Sequence, residues 1–165
     1  MTDDMQDLAQ VPPVKIGVVG SSEDLEKCFG IRRAVFVAEQ NVPEELELDD
    51  RDAEATHFLA IAADGKAVAT ARYYVKEGRA KIGRVAVLKE YRGLGLGREV
   101  MKFVISRVVE DGFAEAVLDS QVSAMGFYSQ LGFVAEGPVF DDAGIAHRRM
   151  CLAVNQDDRN RKATQ

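Results

Sequence analysis

Apolar positions recur along this chain with two periods, and the switches between them outline its elements. Val14-Lys15-Ile16-Gly17-Val18-Val19 is short and β-branched, which predicts a first strand. Ser21 with Asp24 three residues on has the form of a capping box opening a helix. Behind it Leu25, Cys28, Phe29, Val35 and Phe36 fall near one face at helical spacing. An acidic, Pro-containing connection runs from Glu39 to Glu54. Three strands follow, His57 to Ala63, Ala67 to Val75 and Arg79 to Leu88, joined by the turn pairs Asp64-Gly65 and Glu77-Gly78. After Tyr91 the period changes: Leu96, Val100, Phe103, Val104 and Val108 form a helical stripe, and Gly112 stands where the helix should stop. Ala114 to Leu118 reads as a buried strand. Ala124, Phe127, Tyr128 and Leu131 then mark a short helix, with Ser123 as its N-cap and Gly132 as its end. A last hairpin, Phe133 to Phe140 and Ile145 to Leu152, turns at Asp142-Ala143-Gly144.

The order β-α-βββ-α-β-α-ββ predicts an α+β domain: a mixed sheet of about seven strands with helices on its faces. One domain is expected over Val14 to Val154, with polar tails at 1–13 and 155–165. Of the 165 residues, 47% are apolar and 29% charged, ordinary values for a globular chain. A net charge of −6 argues against a nucleic-acid partner, which needs a cationic face. No apolar run approaches the ~18 residues that cross a bilayer. Asp3, Asp4 and Asp7 stand where a targeting peptide would be basic, so a cytoplasmic location is expected. Cys28 and Cys151 share no metal or redox spacing and read as buried reduced thiols. Oligomeric state is not legible.

Chemistry concentrates in Arg92-Gly93-Leu94-Gly95-Leu96-Gly97-Arg98, which follows the strand Ile82 to Leu88 and opens a helix. Glycines leave successive main-chain N–H groups uncovered, because no Cβ blocks close approach. A helix N-terminus adds free donors and about half a positive charge. Together they make a site for a phosphate or diphosphate, to which Arg92 and Arg98 can add charge. The spacing is neither the dinucleotide G-x-G-x-x-G nor a Walker loop with Gly-Lys-Ser/Thr. It is R-x-x-G-x-G, at Arg92, Gly95 and Gly97.

With this motif, the chain from Val14 to Val154 resembles the GNAT superfamily of N-acetyltransferases. The stretch Gln121 to Phe133 is similar to the family's N-x-x-A-x-x-x-Y-x-x-x-G-F, with Gln121 in place of Asn. Ile31 to Gln40 and Gly144-Ile145-Ala146-His147 look like the ElaA-type branch. The resemblance implies a coenzyme A diphosphate cradled by Arg92 to Arg98. The preceding strand would splay from its neighbour, offering main-chain groups of Val85, Ala86 and Val87 to the pantetheine arm. Gln121 would touch the coenzyme, and Tyr128 would stand near its sulfur.

The activity so implied is direct transfer of an acetyl group from acetyl-CoA to a primary amine of a small molecule or peptide, without a metal. Val85 to Val87 would stabilise the oxyanion, and Tyr128 would protonate the leaving thiolate. Tyr128 also lies on an apolar helix face, where a core tyrosine is common. Glu39, Glu54, His57, Asp119 and His147 are all conceivable proton acceptors. His57 and His147 share no ligand spacing, so metal binding has little support. The acidic connection is either a solvated loop or a rim that attracts cationic amines. Rival functions are an acyl-CoA-binding module without turnover and an enzyme like the acyl-homoserine-lactone synthases, which usually carry a tryptophan this chain lacks.

Overall fold

The computed structural model describes residues 12–154, so the expected tails lie outside it apart from Pro12 and Pro13. In chain order the elements are β1 (Val14–Val18), α1 (Ser22–Arg32), a π-helical segment (Arg33–Glu39), α2 (Glu44–Glu47) and a 3-10 turn (Asp50–Ala53). Then come β2 (Thr56–Ala62), β3 (Ala67–Lys76), β4 (Arg79–Val87), a 3-10 turn (Lys89–Tyr91) and α3 (Leu96–Glu110). The chain continues with β5 (Glu115–Gln121), a 3-10 turn (Val122–Ala124), α4 (Met125–Gln130), β6 (Val134–Asp142) and β7 (Ile145–Ala153). The strands form one sheet in the order β1-β2-β3-β4-β5-β7-β6. Every pair is antiparallel except β4 with β5. This is the α+β sheet of seven strands that the alternation of periods predicts.

Two apolar clusters hold the sheet between its helices. On one side Leu96, Val100, Val104 and Val108 of α3 bury against Phe58, Ile82, Leu118 and Met150. On the other, Cys28, Ile31 and Val35 pack on Leu59 and Ala86. Residues Ile82 and Ala86 of β4 thus feed opposite clusters. A bulge between them makes this possible: Thr70 pairs with Ala86 but Arg72 with Gly83, so Arg84 and Val85 together oppose Ala71. Arg84 sits at φ 52°, a left-handed conformation that non-glycine residues seldom adopt.

The structure departs from the sequence pattern in local detail. Ser21 does cap α1, accepting from Asp24 N–H at 3.1 Å, but the helix widens into a π segment at Arg33. Over two turns, apolar spacing does not separate these helix types. Ser123 is not an N-cap. It lies in a 3-10 turn, and Ala124 takes the cap position without a side-chain bond. Strand β5 runs past Leu118 because Asp119, Ser120 and Gln121 pair with Arg149, Arg148 and His147 of β7. Cys28 is buried, whereas Cys151 is only half-buried. Burial and the neighbouring Glu136 carboxylate push its thiol up to about 11.

The acidic connection is pinned to the sheet by arginines. Arg32, 1% exposed, holds Glu47 at 2.7 Å, Asp52 at 2.7 Å and the Glu47 carbonyl at 2.6 Å. Arg72 of β3 binds Asp49 at 2.7 Å and Asp52 at 2.6 Å. Arg84 reaches Glu47 at 3.0 Å and Asp49 at 3.3 Å. His57 donates from Nε2 to the Asp52 carbonyl at 2.9 Å. Burial by itself raises a carboxyl, but hydrogen bonds and charge from Arg72, with Arg84 at Asp49 and Arg32 at Asp52, hold both below their ordinary range. At Glu47 burial wins and the carboxyl is pushed up despite three arginines. Removing one partner of a buried pair strands the other charge. Arg32→Ala is therefore expected to cost about 3–5 kcal/mol in urea unfolding. A loss within about 1 kcal/mol would show that the connection is not held this way.

Candidate active site

Strands β4 and β5 pair over only three residues each, Ala80 to Ile82 against Ala116 to Leu118. β4 continues to Val87 and β5 to Gln121 without meeting again. Successive residues of a strand turn their main-chain groups to opposite sides. Leu88 N–H bonds the Val68 carbonyl on the β3 side, so Val85 and Val87 direct theirs into the split. The Val87 carbonyl indeed accepts from Arg92 Nε at 2.9 Å, away from β3. The split opens into a cavity of about 950 Å³, which Val85, Ala86, Val87, Leu118, Gln121 and Tyr128 help to line.

At one end of the cavity lies the glycine turn. Gly93 and Gly95 stand at φ 77° and 84°, in the left-handed region that a side chain would strain. Gly95 is also the N-cap of α3 and brings no capping side chain. Glu99 is the first residue of the helix to find an acceptor, the Gly95 carbonyl at 3.2 Å. The amides of Leu96, Gly97 and Arg98 before it are the free donors of a fifteen-residue helix. Gly93, Gly95, Leu96, Gly97 and Arg98 all line the cavity, whereas Leu94 does not and is 38% exposed. Arg98 has no ion-pair partner among the described residues. Arg92 is differently employed: its guanidinium forms a two-pronged pair with Glu39 at 2.7 and 2.8 Å. That pair ties the turn to the end of the π segment.

At the middle stands Tyr128 of α4. Its ring packs edge-on against Phe127 and Phe133, with centroids 5.0 and 6.0 Å away. Its hydroxyl has no hydrogen-bond partner among the described residues. Burial alone pushes it up to about 12, because a phenolate would be poorly solvated there. Gln121, at the end of β5, donates to Gln40 Oε1 at 2.7 Å and so bridges the two walls.

Comparison with known proteins follows the same lines. A family model for the acetyltransferase (GNAT) domain matches residues 19–154. The chain belongs to the GNAT acetyltransferases. The uncharacterised N-acetyltransferase YjcF of Bacillus subtilis is 35% identical over 138 residues, covering 83% of this chain and 98% of that protein. Among solved structures, an acyl-CoA N-acyltransferase from Pseudomonas aeruginosa matches with a TM-score of 0.78 and 27% identity, over 86% of this chain and 100% of that one. Escherichia coli ElaA matches with 0.76 and 26%, over 85% and 99%. Enzymes of this family draw on acyl-CoA.

Of the five proton acceptors that the sequence offers, Asp119 and His147 line the cavity of this GNAT domain, where Glu47, Asp49 and Asp142 join them, and Glu39, Glu54 and His57 do not. The acidic connection is largely neutralised by arginines, most of them from other elements: Glu39, Glu44, Glu47, Asp49, Asp52 and Glu54 all sit in ion pairs. Among the described residues no three His, Cys, Asp or Glu side chains cluster to hold a metal. Sequence analysis missed Gln40, Arg72, Lys81 and Arg84, all of which line the cavity. A signal was present for Lys81. In Arg79-Ala80-Lys81-Ile82-Gly83 polar and apolar residues alternate, the mark of a strand with one open face.

The glycines of the turn differ in what they tolerate. Gly95→Ala places a Cβ at φ 84°, so a loss of about 1–2 kcal/mol in urea unfolding is expected. A Cβ on Gly97 would meet the Phe127 ring at 3.5 Å, an ordinary contact, within a helical backbone. Gly97→Ala should keep stability within about 1 kcal/mol of the parent. Equal losses in the two variants would contradict this division.

Proposed function

We propose that this GNAT protein is a cytoplasmic N-acetyltransferase that moves an acetyl group from acetyl-CoA directly to a primary amine of a small molecule or peptide. The observation that carries it is the split itself. Main-chain groups of Val85 and Val87 face an open cleft, and the free amides of Leu96 to Arg98 stand at its end. An extended amide-bearing chain with a diphosphate at one end matches both features at once. The diphosphate would sit on the glycine turn and the helix N-terminus, with Arg98 free to add charge. Arg92, engaged with Glu39, would serve mainly to shape the turn. No helix among the described residues is long and apolar enough to cross a membrane.

In this reading an unprotonated amine attacks the thioester carbonyl, and the new C–N bond forms as negative charge gathers on oxygen. An N–H of the Val85 to Val87 stretch would stabilise that charge, a contribution typically worth ~10² to 10³ in rate. The C–S bond then breaks, its electron pair goes to sulfur, and the Tyr128 hydroxyl supplies the proton. Two features suit Tyr128 to this. Its hydroxyl is not spent on a protein partner, and at about 12 it keeps its proton through the assay range. Gln121, bonded to Gln40, would close the acceptor side of the cleft rather than grip the coenzyme.

Tyr128→Phe keeps the packing and removes only the donor. Binding of acetyl-CoA, read by calorimetry, should stay within twofold. Amine-dependent release of free thiol should fall by ~10²-fold or more. The parent enzyme should show no alkaline loss of turnover from this group below about pH 11, since its folded pKa lies near 12. A parent that takes up no acetyl-CoA at millimolar ligand would end the proposal. One that binds the coenzyme yet transfers to no amine would be a binding module instead.

A further inference from the structure

Transfer to an amine needs a proton acceptor as well as a donor, because alkylamines are ammonium ions at neutral pH, with pKa values near that of lysine, about 10.4. Resting on the acyl-transfer reading above, we propose that His147 Nε2 is the general base that takes this proton.

Of the carboxylates that line the cavity, Glu47 Oε2 is shared between Arg32 at 2.7 Å and Arg84 at 3.0 Å, both Asp49 oxygens are on Arg72, and Asp142 is exposed beside the β6–β7 turn. Glu39 has both oxygens on Arg92, and Glu54 pairs with Arg51 at 2.8 Å. His57 is buried against the connection, and its Nε2 is spent on the Asp52 carbonyl. Asp119 does line the cavity, but its Oδ2 lies 2.5 Å from Lys81 and its Oδ1 3.1 Å from Arg149. Burial would raise that carboxyl, yet the two cations hold it below the ordinary range, where it makes a poor proton acceptor. Lys81 is itself committed to Asp119.

His147 is built for the task. It lies on β7 directly opposite Gln121 and lines the cavity. Its Nδ1 is 2.7 Å from the Ile145 carbonyl. A carbonyl oxygen only accepts, so Nδ1 carries the hydrogen and the neutral ring presents its lone pair at Nε2. Phe140 stacks on the ring at 5.9 Å with planes 24° apart, which fixes its orientation. No carboxylate is hydrogen-bonded to the imidazole among the described residues. Nε2 takes one proton from the ammonium, and the freed lone pair forms the C–N bond. Tyr128 then gives its proton to sulfur as the C–S bond breaks. A second N–H proton, shed by the tetrahedral nitrogen, restores Tyr128 through solvent.

The test pairs His147→Ala with two acceptors, a primary alkylamine and hydroxylamine, which is already neutral at the assay pH. His147→Asn serves as a second variant, since its amide can still donate to the Ile145 carbonyl. Both variants should bind acetyl-CoA within twofold of the parent. With the alkylamine, turnover should fall by ~10²-fold or more. With hydroxylamine the loss should shrink at least tenfold, and added imidazole should restore part of the alkylamine rate in His147→Ala. A structural role would lower both acceptors alike and resist imidazole. Equal losses without rescue, or no loss at all, overturn the proposal. Should the parent itself transfer to neither acceptor, the acyl-transfer reading fails first, a result separable from any behaviour of the variants.

Discussion

Two neighbouring strands that stop pairing after three residues leave main-chain donors and acceptors without their customary partners, and much of this molecule is arranged around that gap. Unpaired polar backbone is costly when it is buried, typically ~1–3 kcal/mol for each group. It persists here because the gap is an open cavity rather than a sealed core. The bulge at Arg84 and Val85 re-aims β4 so that its two ends serve opposite apolar clusters. The parting of β4 and β5 is therefore part of how the sheet satisfies both its faces, and the cleft is a consequence of packing.

Charge does for the acidic connection what apolar contact does for the sheet. Arg32, Arg72 and Arg84 meet Glu47, Asp49 and Asp52 in a shared network, three cations against three anions. Such a cluster adds little net stability over apolar packing, but each member is costly to lose alone. It offers register, because guanidinium groups accept carboxylates only in defined directions. A connection that is acidic in sequence thereby becomes a nearly neutral wall in the fold, and little of its charge is left to steer a cationic acceptor.

The cleft then divides its tasks among elements that come from separate parts of the chain. β4 and the start of α3 present main-chain donors, α4 presents the Tyr128 hydroxyl, and β7 presents His147. Gln121 and Gln40 join the β5 side to the end of the π segment. Arg92 and Glu39 join the glycine turn to the same end of that segment. Tyr128 and His147, the proposed proton donor and acceptor, thus sit on elements that rest on the same sheet.

Most of the fold was legible because its signals are local. Alternation marked the strands, the 3.6 spacing marked α3, and paired turn residues marked the hairpins. The glycine turn was legible for the same reason: Gly93, Gly95 and the helix start lie together in sequence, and their free amides need nothing from elsewhere. Ser123 and the π segment were misjudged where a few residues carry too little periodicity to choose between helix types. What only the tertiary structure decided is which distant side chains meet. Arg92 is adjacent to the glycines in sequence, yet Glu39, 53 residues away, claims its guanidinium. Asp119 and His147 were equal candidates on paper, and only the sheet places two cations on one and leaves the other with an unoccupied nitrogen. Residue type sets what a group is able to do, and long-range pairing, which no local period encodes, sets which of them remain free to do it.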